Sequence, residues 1–308
     1  MRLLPLSWLQ PTITVPLLGG QSRKPATTLA IDFSHYVKVR DWLDTGTGVV
    51  LVELAGVEGS SPREAGAAMS VSGDAIAGTI GGGQLEWRVI AHARQMLAEG
   101  VKEDRLSIPL GPELGQCCGG RVELSFRRIG PDLLARLESD AASQQEAMPH
   151  VFIFGAGHTG VALTNALSTL PYHVALYDSR TSIPVEITGP VEPVQIAIPE
   201  SRIGEAPSGS AFIVMTHEHS LDFLMAAEAL RRGDAAYVGM IGSKTKRAVF
   251  SGWLKEHGYD PLLAGNLVCP IGGSDVHDKR PEVIAALTAA EIVRALYRYS
   301  ADTDQASG

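Results

Sequence analysis

The stretch HVFIFGAGHTGVALTNALSTL, residues 150–170, constrains the fold of this chain more than any other. An apolar run rich in aromatic and β-branched side chains leads into Gly155, Gly157 and Gly160 in a Gly-x-Gly-x-x-Gly turn. An apolar, alanine-containing run at helical spacing follows. Strand, glycine turn and helix in that order open a dinucleotide-binding βαβ unit, in which the glycines permit a tight turn and let a phosphate approach the helix N–H groups. YHVALYDSR supplies the next strand and ends near Asp178, 18 positions beyond Gly160. That is close to the spacing of about 20 at which an acidic residue meets a ribose. His158, inside the turn, either faces a ligand or caps backbone groups. Apolar strands at AFIVM (211–215) and AYVGMIG (236–242) alternate with helical stretches, and Pro281 sits near the first turn of a last long helix, where proline is tolerated. Residues 150–300 are therefore expected to form a Rossmann-like parallel-sheet domain, with 301–308 as a tail. The turn specifies a fold and not a reaction.

The residues before it read differently. GVVLVELAGVEG (48–59) predicts a buried strand, Ser72-Gly73-Asp74 a turn between two short strands, and DRLSIPL and RVELSFRRI two more. Between them, QLEWRVIAHARQMLAEG places Leu85, Val89, Ala93 and Leu97 at helical spacing and ends on Gly100, a C-cap residue. Residues 34–128 are expected to form an α+β domain, 1–33 an irregular extension, and 129–149 a linker made of a short helix and a polar Ala/Ser/Gln-rich segment.

Several further features carry chemistry. GTIGGGQLEW places Gly81, Gly82 and Gly83 before Gln84 and Glu86 at a helix start, which is either a tight connection or an anion cradle of backbone N–H groups. Arg63, in GSSPREAG, is a phosphate-pairing residue type on a nearby loop or a solvated charge. Ser243, Lys244, Lys246 and Arg247 follow a strand's C-terminal end, where open α/β sheets bind ligands, and form either an anion site or a solvated first helical turn. His217 and His219, in MTHEHSLD, lack a recognised zinc spacing, and loop capping is expected of them. Cys117 and Cys118 are adjacent in LGPELGQCCGG; Cys269 is the remaining one of 3 cysteines. Neighbouring α-carbons lie about 3.8 Å apart, below the usual disulfide span of roughly 4.4 to 6.8 Å, so free thiols are expected. The pair is either two small buried residues packing a turn or thiols suited to soft metals or sulfur exchange, and it has no His or Cys partner at zinc-ligand spacing.

Composition narrows the partners. A net charge of -8 argues against nucleic acid or an anionic membrane held by bulk electrostatics, so any anion must be captured locally. The apolar runs are broken by Gly, Pro or charge, which speaks against a membrane span, and the free thiols point to a cytoplasmic location.

Taken together and in order, VEGSSPREAGAAMSV, GTIGGGQLEWRVIAHAR, LGPELGQCCGGRVEL, FGAGHTGVAL, YDSR, MTHEHSLD, GMIGSKTKR and CPIGG…KRPEVIAALTAAEIV resemble the XdhC/CoxI family of xanthine dehydrogenase accessory proteins. The resemblance covers roughly residues 34 to 298. It implies a factor that binds the molybdenum cofactor, protects it, supports its sulfuration by a cysteine desulfurase and hands it to apo-xanthine dehydrogenase. It also gives the local features a ligand. Gly81 to Gly83, Arg63 and Lys244 would hold the pterin phosphate, and Cys117 and Cys118 would meet the molybdenum end. A homodimer is carried as the assembly. The alternative is an NAD-dependent oxidoreductase built on Gly155, Gly157, Gly160 and Asp178, with a cofactor-free thiol or interaction module as a third reading.

Overall fold

The structure, a computed structural model, describes residues 31–61, 63–111, 120–180, 191 and 193–307, and divides into two compact units, Met1–Ala147 and Met148–Gly308. In the first, α1 (Phe33–Asp44) precedes β1 (Val50–Glu58), β2 (Ala68–Val71), β3 (Ile76–Gly78), α2 (Gly83–Glu99), β4 (Glu103–Pro109), β5 (Arg121–Arg128) and α3 (Pro131–Glu146). The strands form one antiparallel sheet in the order β3-β2-β1-β5-β4. Pro109 ends the edge strand β4, a position that costs the ladder no central hydrogen bond.

Helix α2 lies on the sheet because its apolar residues share a face. Leu85, Val89, Ala93 and Met96 are buried, and Gly100 closes the helix in the left-handed conformation at φ 73°. Met96 takes the place expected of Leu97, because steps of four drift off the 3.6-residue period and a step of three restores the face. The segment 129–149, expected as a linker, is mostly α3. Leu137 and Ala141 are buried in a cluster with Tyr36, Val39 and Leu51, so this polar-looking helix is part of the first unit's core. Two buried positions a helical turn apart are enough to dock it, and the Ala/Ser/Gln residues fill its exposed side.

The second unit runs β6 (His150–Phe154), α4 (His158–Leu167), β7 (His173–Asp178), β8 (Pro193–Gln195), α5 (Ser201–Glu205), β9 (Ala211–Val214), α6 (His219–Arg231), β10 (Tyr237–Met240), α7 (Lys244–Glu256), a 3-10 turn (Pro261–Asn266) and α8 (Pro281–Ser307). Its strands are all parallel in the order β10-β9-β6-β7-β8. β9 and β10 are buried at every residue, as expected of parallel strands with helices on both faces. The core on one face joins Phe152, Phe212 and Phe250 with α5, α6 and α7; on the other, Ile153, Leu163 and Ile292 join α4 and α8. The expected tail, 301–308, continues α8 as far as Ser307. The overall α/β class, an antiparallel-sheet α+β unit followed by a Rossmann-like unit, is the one read from the sequence.

Candidate functional site

In the second unit, strand order reverses between β6 and β9, and ligands of open α/β sheets bind beyond the strand ends at such a switch point. The glycine turn stands there. A Cβ on Gly155 (φ 115°) would lie 2.3 Å from the Met215 carbonyl oxygen, and one on Gly160 only 1.9 Å from that of Gly155. These two glycines are required by the protein's own packing. A Cβ on Gly157 would meet nothing within 4 Å, and no side chain caps α4 there, so this glycine leaves open space before the helix N–H groups. His158 is exposed on the first turn of α4.

Asp178 does something other than wait for a ribose. It is buried, and its carboxylate accepts four hydrogen bonds: Oδ2 from Ala156 N–H (2.7 Å) and Arg180 Nη2 (2.7 Å), Oδ1 from Arg180 N–H and Nε (2.9 Å each). A carboxylate offers about four acceptor sites, so this one is fully used. Burial opposes its ionisation, but the Arg180 bonds and the Ala156 N–H outweigh that and hold its pKa at about 2.

Asp222 and Lys246 complete the switch point. Asp222 is fully buried; its Oδ1 accepts from Thr216 N–H (2.9 Å) and Oγ1 (2.7 Å), and its Oδ2 from Lys246 Nζ (2.6 Å), which also donates to the Ile241 carbonyl (3.0 Å). Capping of the 215–222 loop therefore falls to Asp222 and Thr216, and not to the exposed His217 and His219. The imidazoles gave the visible chemical signal, whereas nothing in the sequence singled out Asp222. Of the basic cluster, Lys246 turns inward, Arg247 donates to the Ala264 carbonyl (3.1 Å), and Ser243 caps α7, while Lys244 is exposed. Cys269 is buried; its thiol donates to the Ser243 carbonyl (3.7 Å), and burial pushes its pKa up.

In the first unit, Gly81, Gly82 and Gly83 all have positive φ (131°, 80° and 68°), a backbone only glycine adopts freely. Glu86 folds back into the turn they form. Its Oε1 accepts from Ile80 N–H (2.9 Å), Gly82 N–H (3.1 Å) and Thr79 Oγ1, so the protein's own carboxylate fills part of the cradle. Burial raises the Glu86 pKa, but these bonds dominate and leave it below the usual carboxylate range. No side-chain cap bond closes the start of α2, and Gly83 and Gln84 are exposed there. Arg63 is exposed and lines a cavity of about 300 Å³ together with Thr79, Gly78, Lys38 and the buried His35. His35 donates or accepts through Nε2 to Ser70 Oγ (2.8 Å), and burial drives its pKa down to about 4. Lys38 and His35 had no motif around them; only the folding of α1 beside β2 and β3 brings them to Arg63.

Register places these features at one end of the sheet. β1 and β3 run toward the end at which β5 begins, where Glu58 pairs with Arg121 and Arg121 with Pro109. The Arg63 connection, the 79–83 turn and the β4–β5 loop all leave there. That loop is closed at its base by Leu110 N–H donating to the Gly120 carbonyl (2.7 Å); Cys117 and Cys118, which it carries, lie outside the described residues. Among the described residues, no group of three or more His, Cys, Asp or Glu side chains is placed to hold a metal ion.

Residues 151–292 match the family described as the XdhC Rossmann domain, and residues 42–108 match the XdhC and CoxI family. The chain belongs to the XdhC/CoxI family. An uncharacterised protein of Escherichia coli (strain K12), YqeB, is 24% identical over 252 residues, covering 79% of this chain and 43% of YqeB. The chain thus spans less than half the length of that curated relative. A crystal structure described as a xanthine dehydrogenase from Bacillus halodurans superposes with a TM-score of 0.70 at 17% identity, covering 86% of this chain and 96% of that one, and shares the fold. The two matched segments take in β1 to β4 and β6 to the middle of α8, so the Arg63 loop, both glycine turns, Asp178, Asp222 and Lys246 all lie inside XdhC-type sequence. Cys117 and Cys118 lie between the two segments. Among the described residues no helix is long and apolar enough to cross a membrane.

Proposed function

We propose that this XdhC-family protein binds the molybdenum cofactor as cargo, supports its sulfuration by a cysteine desulfurase, and delivers it to apo-xanthine dehydrogenase. The observation that supports the reading is that Arg63, the 79–83 turn and the facing ends of β4 and β5, between which Cys117 and Cys118 lie in sequence, all belong to one end of the first unit's sheet. Arg63 and Lys38 supply positive charge and the Gly83 and Gln84 N–H groups supply donors, a set suited to a pterin phosphate. Glu86 keeps the turn in shape and keeps a second anion out of its inner side. Thiols are the soft ligands that a sulfur-bearing molybdenum centre accepts, and they also suit the sulfur step. Capture by local charge agrees with a chain whose net charge is -8.

The competing reading, a nicotinamide-dependent oxidoreductase, has the open face of Gly157 in its favour. Asp178 counts against it, because a ribose diol would have to displace Arg180 from a carboxylate whose acceptor sites are all engaged. The test is to purify the protein from a host that makes the cofactor and assay molybdenum by mass spectrometry and pterin by fluorescence after oxidation. Wild type is expected to carry both. Arg63→Ala is expected to reduce retained pterin roughly tenfold, as loss of a charge-assisted contact of about 1.5 kcal/mol or more implies. Cys117→Ala and Cys118→Ala are expected to reduce retained molybdenum. A metal-free and pterin-free wild type would overturn the reading.

A further inference from the structure

A cavity lies in the second unit at the opposite end of the sheet from the glycine turn. Gly233, Ala235 and Ala236, on its rim, precede β10, whereas the glycine turn follows β6, and the strands are parallel. The cavity has a volume of about 530 Å³, within the roughly 300–1,000 Å³ of small-molecule sites. Leu230, Val238, Val268 and Ala295 give its lining an apolar part, and Asn266 adds an amide. Its charge comes from α8. Arg294 and Arg298 are four residues apart, hence one helical turn apart on one face, and both line the space. Neither has an ion-pair partner among the described residues.

The carboxylate in the lining, Glu291, is committed elsewhere: its Oε2 accepts from Tyr237 Oη (2.8 Å) and Gly272 N–H (3.0 Å). Two guanidinium groups against one carboxylate leave the cavity with net positive charge in a chain of net charge -8. Arginine forks match the oxygens of phosphate and carboxylate, and the apolar part of the lining suits the body that carries such a group.

We propose that this cavity is a second binding site, for a small organic anion whose phosphate or carboxylate is held by Arg294 and Arg298 and whose apolar body rests on Leu230, Val238 and Ala295. Nothing in it draws on the cargo site of the first unit.

Titration calorimetry on the full chain with phenyl phosphate, benzoate and inorganic phosphate tests this. Phenyl phosphate or benzoate is expected to bind saturably, at least tenfold tighter than inorganic phosphate, with binding that weakens as salt rises. Arg294→Gln and Arg298→Gln are each expected to weaken it tenfold or more, while Gly157→Val, which fills the space before α4, leaves it unchanged. Both arginines are exposed, and an unchanged melting temperature establishes that the variants are folded. Absence of saturable binding, equal affinity for inorganic phosphate, or loss of binding in Gly157→Val but not in the arginine variants would each overturn the proposal. The arginine variants are expected to retain pterin as wild type does, so failure here and failure of the cargo reading are separate results.

Discussion

Asp178 shows how a side chain placed by its spacing for a ligand can be engaged by the protein itself. The spacing from Gly160 is that of a ribose ligand, yet its four hydrogen bonds go to Ala156 and Arg180. Its folded pKa of about 2 lies below the ordinary carboxylate value of about 3.9. A group depressed in this way adds stability that is complete above about pH 4 and is lost as pH falls through about 2. Asp178→Asn removes that contribution and leaves Arg180 without its counter-charge. We expect it to cost about 2–3 kcal/mol in urea unfolding at pH 7, discounted from a fully buried pair because Arg180 is one-third exposed. The difference from wild type is expected to shrink as the pH of the assay falls from 4 to 2; a constant difference would show that the charge is not the cause. Cys269 tests a second residue. Its burial and raised pKa predict that it resists iodoacetamide at pH 8 in the folded protein and reacts in urea, as read by peptide mapping.

At the scale of elements, the three glycines before α4 divide by what surrounds them. Alanine at Gly155 would drive a Cβ into the Met215 carbonyl just beyond β9, and alanine at Gly160 into the Gly155 carbonyl of the turn itself, and we expect losses of roughly 3 kcal/mol or more. Alanine at Gly157 meets nothing and sits at φ -80°, so stability should change by less than about 0.5 kcal/mol. Thermal melts of the three variants check the order. Helix α3 makes the converse point. Its sequence is polar enough to resemble a linker, but Leu137 is fully buried, and Leu137→Ala is expected to cost about 2–4 kcal/mol, whereas a linker residue would cost almost nothing.

For the whole molecule, each unit owns its core. The clusters around Phe212 and Ile153 draw only on residues after 148, and those around Phe126 and Leu137 only on residues before it. A fragment comprising 148–308 is therefore expected to unfold cooperatively on its own, with circular dichroism and tryptophan fluorescence giving coincident transitions. A fragment cut within α3 should not rescue the first unit, because that would remove Leu137 and Ala141 from its core. The chain is acidic overall, with net charge -8, and carries local basic pairs at Arg63 and Lys38 and at Arg294 and Arg298.

The sequence by itself determined the strands, the switch-point turn and the order of the two units, because hydrophobic period, glycine punctuation and β-branched runs act over a few residues. It also carried the family, since ordered motifs survive without knowledge of their contacts. Tertiary structure alone decided the partners. Glu86 turns back into its own glycine cradle, Asp178 closes on Arg180, Lys246 goes inward to Asp222, and Lys38 and His35 come to Arg63. Each of these depends on which side chain a distant element brings within about 3 Å. A buried carboxylate takes the nearest donors that satisfy it, whatever role its spacing in the chain suggests.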